Sequence, residues 1–195
     1  MTKWSNSGKI DPRSFDCYFC GNRIGPNMGY SSTKDVATRI YICSYCDSPT
    51  YFTKDKDGSI MQFPSPAYGN KVESLKEEIR HLYNESRNCM AVNAYTAAVM
   101  ACRKILMHVA VDKGDKPNKS FREYVDYLSS KYISPENKPW VDFIRDKGND
   151  ANHEIPLTSK EDAEQLIDFT EMLLKLIYEY PSKIPGKAPQ GQQNT

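Results

Sequence analysis

The chain has 195 residues, 39% of them hydrophobic and 26% charged, with a formal net charge of +1. This is the composition of a folded globular protein, long enough for one ordinary domain and a small appendage. No apolar run is long enough to span a bilayer, and the charge is too balanced for a protein that only coats nucleic acid. The two halves are similarly neutral: 8 Lys+Arg against 6 Asp+Glu in residues 1–70, and 18 against 19 in residues 71–195.

Residues 1–16, MTKWSNSGKIDPRSFD, carry no apolar stretch of the secretory kind and are expected to be an N-terminal tail. The expectation is therefore a cytoplasmic chain, whose cysteines sit in a reducing compartment where pairing by metal is commoner than pairing by disulfide. Next comes CxxC twice, Cys17-Tyr-Phe-Cys20 and Cys43-Ser-Tyr-Cys46. Two residues between cysteines let both sulfurs of one turn reach a single ion. Two such turns close a tetrahedral thiolate shell around Zn2+ with no open position, which makes a structural zinc rather than a Lewis acid. Gly21 is placed to relieve the first turn, where amide N–H groups swing toward sulfur.

TRIYICSYC and TYFTKDKDGSIMQF read as strands, the second a hairpin turning at Asp57-Gly58. Residues 17–63 thus predict a zinc ribbon too small to be stable without its metal. Tyr18, Phe19, Arg23, Arg39 and Tyr45 offer a stacking and phosphate-contacting surface, or pack structurally. Pro64 and Pro66 mark a linker over 64–70.

From residue 71 the periodicity becomes helical. Val72, Leu75, Ile79 and Leu82 predict a helix over 71–88, and the Ala-rich run from Ala94 to Val109 a second over 90–111. Ser120 and Glu123 form a capping box for a third, and KPWVDFIRDK gives a short fourth. Thr158, with Glu161 three residues on, is expected to cap the last. Residues 71–181 thus form a helical domain of about five helices, and 182–195 a tail with almost nothing to bury. The fold class is α+β: a small β ribbon, then an all-α bundle. Cys89 and Cys102 match no metal spacing and are expected to be small core residues. Arg103 either faces an interior site or pairs with an acid of the last helix such as Glu171.

The order of a four-cysteine ribbon, AYTAAVMACRKIL, WVDFIRDKGNDANH and the final LTSKEDAEQLIDFTEMLLKLIYEYP resembles a bacterial domain family grouped with the HEPN superfamily of helical bundles. That family is also found attached to type I restriction endonuclease subunits. The resemblance covers about residues 75–181. It implies a helical bundle and a place in prokaryotic defence or nucleic-acid processing, with nucleic acid (RNA or DNA) or a protein as partner and no membrane. Many HEPN proteins are metal-independent RNases acting through an arginine and a histidine across a homodimer cleft; others only bind. On the first pattern Arg145, Asn149 and His153 are the catalytic candidates. The arginine would stabilise the phosphorane-like transition state and the histidine would move protons. Seven residues separate Arg145 from His153, one more than the catalytic pattern takes. Positions 145, 149 and 153 align along an unbroken helix, but Gly148-Asn149 is also a good helix end. On the structural alternative, Arg145 and Asn149 crosslink and cap helices while His153 bonds a backbone carbonyl. No phosphate loop, dinucleotide fingerprint, HExxH or GxSxG is present.

Overall fold

The computed structural model describes residues 4–35, 37–148 and 158–185. The chain divides into two compact units, residues 1–67 and 68–195. The first is β and the second all-α. Among the described residues no helix is long and apolar enough to cross a membrane.

The N-terminal unit has seven short strands: β1 (Gly8–Lys9), β2 (Phe15–Asp16), β3 (Arg23–Ile24), β4 (Met28–Ser31), β5 (Arg39–Ile42), β6 (Pro49–Lys54) and β7 (Ile60–Phe63). Five form an antiparallel sheet in the order β1-β4-β5-β6-β7, and β2 pairs with β3 in a separate hairpin. The core between them is small. Phe15, Tyr41 and Phe52 stack with ring centroids 5.0–6.0 Å apart, beside the buried Cys17 and Cys43. Gln62 of β7 ties the sheet to the hairpin by donating to the Asp16 carbonyl at 2.9 Å. At the β6–β7 turn only Gly58 takes a positive φ, +84°. Asp55 closes this turn by accepting from the amides of Asp57 and Ser59 at 2.9 and 2.8 Å.

Residues 4–16 are built into this unit rather than trailing from it. β1 pairs with β4, and the Trp4 indole donates to the Asp47 carbonyl at 2.8 Å. Asp11 holds the Arg39 guanidinium at 2.7 Å, while its carbonyl accepts from the Tyr41 hydroxyl at 2.9 Å. These bonds are long-range, which is why local sequence read the segment as a tail.

The second unit comprises α1 (Glu77–Ala91), α2 (Tyr95–Asp112), α3 (Phe121–Tyr132), α4 (Lys138–Gly148, entered through a 3-10 turn at Pro135–Asn137) and α5 (Lys160–Leu174). α5 continues through a π turn (Lys175–Glu179) into a last short turn, α6 (Tyr180–Ser182). α2 is the central helix, packed against α1, α3 and α5. Its inward face is Ala98, Cys102, Ile105, Leu106 and Val109, each with 0% exposure. Ala98 and Cys102 are the small residues that let α1 and α5 approach. Ser120 caps α3 with the expected capping box. α5 is capped by Ser159, which accepts from Asp162 N at 3.0 Å, and not by Thr158. The two registers offer the same Ser/Thr-x-x-acid pattern. The observed one sets the cap four residues before Ala163, the helix's first fully buried side chain.

The first helix starts at Glu77 rather than 71. Val72 is buried and Leu75 packs on the core, as their spacing suggested, but from non-helical backbone. Two buried carboxylates hold that backbone. Glu171 accepts from the amide and side chain of Asn70 at 2.7 and 2.9 Å, from the Tyr83 hydroxyl at 3.1 Å and from Lys175 at 2.5 Å. Glu179 accepts from the Glu73 amide at 3.1 Å and from Lys183 at 2.5 Å. Arg87 adds bonds to the Tyr68 and Gly69 carbonyls. Tyr68–Asn70, within the expected linker, are therefore fixed to the bundle. Gly69 is required there: its φ is +71°, and a Cβ would stand 2.8 Å from Glu171 Oε2.

The π turn makes the double anchor possible. Eight residues of α-helix would leave Glu179 about 80° around the axis from Glu171. One extra residue taken up by the wider turn removes roughly 100° of rotation and returns both acids to one side.

Burial alone would raise the Glu171 pKa, but Lys175 and the two Asn70 donors outweigh it and hold the carboxyl below its usual range. Its folded pKa is thus lower than the unfolded value of about 4.3. The stabilisation is complete above that pH and is lost as pH falls through the folded pKa. Glu171→Gln is expected to lower stability at neutral pH by about 1–3 kcal/mol. The variant should also flatten the decline below about pH 4. Urea melts followed by helical circular dichroism across pH check both.

Candidate metal centre

The two CxxC pairs occupy equivalent positions. Cys17–Cys20 forms the tip of the β2–β3 hairpin, and Cys43–Cys46 the tip joining β5 to β6. Each tip folds the same way. Gly21 N donates to the Cys17 carbonyl at 2.8 Å, and Asp47 N to the Cys43 carbonyl at 3.0 Å. The amides of Cys17 and Cys43 donate in turn to Asn22 and Ser48. Residues 21 and 47 both have positive φ, +71° and +59°. Gly21 was legible from sequence. Asp47 was missed, although aspartate tolerates the left-handed region better than most residues.

This geometry turns backbone N–H groups onto sulfur. Tyr45 N and Cys46 N both lie 3.4 Å from Cys43 Sγ, and the Phe19 and Cys20 amides do the same for Cys17. The four Sγ atoms lie within 4.8 Å of one another. Cys17–Cys46 and Cys20–Cys43 are each 3.8 Å apart. A thiolate tetrahedron with bonds of about 2.3 Å has edges of about 3.8 Å. The quartet therefore fits a four-coordinate ion, with every ligand from the protein and no position left for substrate.

Burial pushes the Cys17 thiol up to about 12 and raises that of Cys43, while the Asn22 amide draws Cys20 down to about 7. Four thiols in one place are mutually tolerable as neutral groups. As thiolates they require a cation among them.

Phe19 and Tyr45, the third residue of each tip, are 51% and 75% exposed. Tyr18 packs edge-on against Phe19 at 5.2 Å. The arginines expected to accompany these rings have acidic partners, Arg23 with Asp16 at 3.2 Å and Arg39 with Asp11.

In the helical unit, Arg145 lies on α4 with 19% of its side chain exposed. Its guanidinium reaches Asp142 on the same helix at 2.5 Å and Asp126 on α3, so it crosslinks the two helices between two carboxylates. Asn149 and His153 lie outside the described residues. Arg103 stands over the Phe121 ring at 4.9 Å, and Glu171 is held by Asn70, Tyr83 and Lys175. His81 and His108 are exposed. Cys102 is fully buried and Cys89 half-buried.

The purified chain is expected to carry one metal ion per molecule, by elemental analysis. Cys43→Ser should lose it and unfold the N-terminal unit, read as loss of dispersion in the amide spectrum of residues 4–67. The helical unit should keep its circular dichroism.

Neither the curated proteins nor the solved structures compared with this chain contain a match. Residues 84–192, more than half the chain, match the model of a family described as a domain of unknown function (DUF4145). The match begins within α1, includes the Arg145 segment and excludes the cysteine quartet. The chain belongs to this DUF4145 family.

Proposed function

We propose that this protein is a non-catalytic recognition module: a zinc ribbon joined to a HEPN-like helical domain, binding nucleic acid or a protein partner in prokaryotic defence or nucleic-acid processing. The observation that carries this reading is the closed cysteine quartet. Four protein sulfurs at tetrahedral spacing favour structural Zn2+ over a catalytic ion. The same fold holds Phe19 and Tyr45 out in solvent, where exposed rings serve contact rather than stability. The defence setting and the HEPN kinship come from the sequence resemblance.

The alternative is a metal-independent endoribonuclease, working as a homodimer through Arg145, Asn149 and His153. It is favoured by the continuity of α4 through Gly148, which carries the register of Arg145 to the helix end. Against it stands the pairing of Arg145 with Asp126 and Asp142. A guanidinium shared by two carboxylates has little charge left to offer a phosphorane.

The test is incubation of the full chain with labelled RNA in EDTA, after showing that the bound metal survives the chelator. The expected result is salt-dependent binding of nucleic acid without turnover, or co-purification of a protein partner. Cleavage that persists in EDTA and disappears in a folded His153→Ala variant would replace this reading with the nuclease. Cleavage unchanged in that variant would sink the Arg145/Asn149/His153 assignment, leaving a contaminant or another site responsible.

A further inference from the structure

The face of the five-stranded sheet turned away from the ribbon core has a composition that its fold does not require. Residues paired directly across an antiparallel ladder share a face. Tyr30 of β4 pairs with Ile40 of β5, Ile40 with Tyr51 of β6, and Tyr51 with Phe63 of β7. One row of large side chains thus crosses four adjacent strands. The alternate row, with Tyr41 and Phe52, faces the small core.

The outward row is only partly covered. Tyr51 is 40% exposed, and Met28, two residues before Tyr30 on the same strand, 39%, while Tyr30, Ile40 and Phe63 are half-buried. Trp4 packs edge-on against Tyr30 at 6.4 Å and extends the aromatic surface beyond the row. From Tyr30 to Phe63 is three strand spacings, about 14 Å, the length of roughly four stacked nucleotides.

Charge selects the class of partner. The strand residues on this face include no carboxylate, and the only charged one is Lys9 of β1, opposite Met28. Residues 1–67 contain no glutamate. Their aspartates sit on β2, in loops and in turns, two of them already holding Arg23 and Arg39. Lys56 is exposed in the turn where β6 leads to β7. Half-exposed rings in a row, lysines at the margins and no acid on the strands form a surface that favours a polyanion with flat bases. Such a ligand gains stacking from the rings and charge pairing at the edges.

We propose that this sheet face binds single-stranded nucleic acid, with Tyr51 and Phe63 as stacking platforms. The proposal rests on the recognition reading above and names its ligand. It places the site on the sheet rather than on the metal-binding tips.

The test measures anisotropy of labelled oligouridylate and oligothymidylate of about 15 nucleotides, and of a duplex of the same length, with the full metal-loaded chain. Binding should favour single strands over duplex, and comparison of the two oligomers identifies RNA or DNA. Tyr51→Ala should weaken binding about 5- to 150-fold, the range covered by loss of one base–aromatic stack. Tyr51→Phe should retain it, because the ring is kept. Tyr180→Ala, which removes an exposed ring of the helical unit, should leave it unchanged, and Tyr45→Ala probes the second metal-binding tip. Metal content and circular dichroism of each variant show that the fold is kept, and Tyr51→Leu serves if the alanine variant loses its metal. Single-strand binding that survives loss of the Tyr51 ring but fails in Tyr45→Ala overturns the sheet site and leaves the recognition reading standing. Absence of binding to every oligomer, with a co-purifying protein in its place, overturns the nucleic-acid assignment.

Discussion

Two hairpin tips in the N-terminal unit meet through four sulfurs, and the rest of that unit depends on this meeting. Its apolar core is three rings and two of the cysteines themselves. Strands of two to six residues around so small a core cannot offset the entropy of ordering the chain. A bound cation would supply what burial does not, and it would act at the point where the small hairpin and the sheet must be held together. The two tips share backbone bonds, left-handed turn residues and N–H···S contacts, so neither is an accident of packing. Once the core face is fixed in this way, the pleat of the sheet determines that the Tyr30–Phe63 row points outward.

The helical unit solves a different problem by different means. It has an ample core, with α2 sheathed by three helices. What needs fixing is the irregular backbone of residues 68–74, whose polar groups would otherwise lie unpaired against that core. Glu171 and Glu179 accept those amides and are themselves neutralised by Lys175 and Lys183. A buried carboxylate is costly alone, yet here each is hydrogen-bonded and paired. Asp112 repeats the device at the end of α2, with Lys76, Lys113 and the Tyr178 hydroxyl. Arg145 belongs to the same pattern, a charge enclosed by opposite charges across a helix–helix contact.

Much of this was visible in the one-dimensional pattern. The clustering of the four cysteines, the capping box at Ser120, the β6–β7 hairpin and the helix count follow from spacing that has a local physical cause. Errors arose where two local readings were equivalent or where a partner lay far along the chain. Thr158 and Ser159 offer the same cap, and only the position of Ala163 chooses between them. Val72 and Leu75 keep a helical spacing without a helix, because acids about a hundred residues away bind the backbone beside them, at Asn70 and Glu73. The segment around Trp4 and Asp11 looked like a tail for the same reason.

Sequence by itself determined the candidate metal site, because two CxxC pairs name four thiol donors and a tetrahedral ion would take four. It also determined the α+β division, since hydrophobic periodicity changes from two to about 3.6 near residue 70. Tertiary structure decided what the charged and aromatic side chains are free to do. Arg145, Arg23 and Arg39 carry a charge that sequence leaves available, and folding gives each an acidic neighbour. Tyr30, Ile40, Tyr51 and Phe63 lie well apart along the chain, and only strand register lines them up on one face.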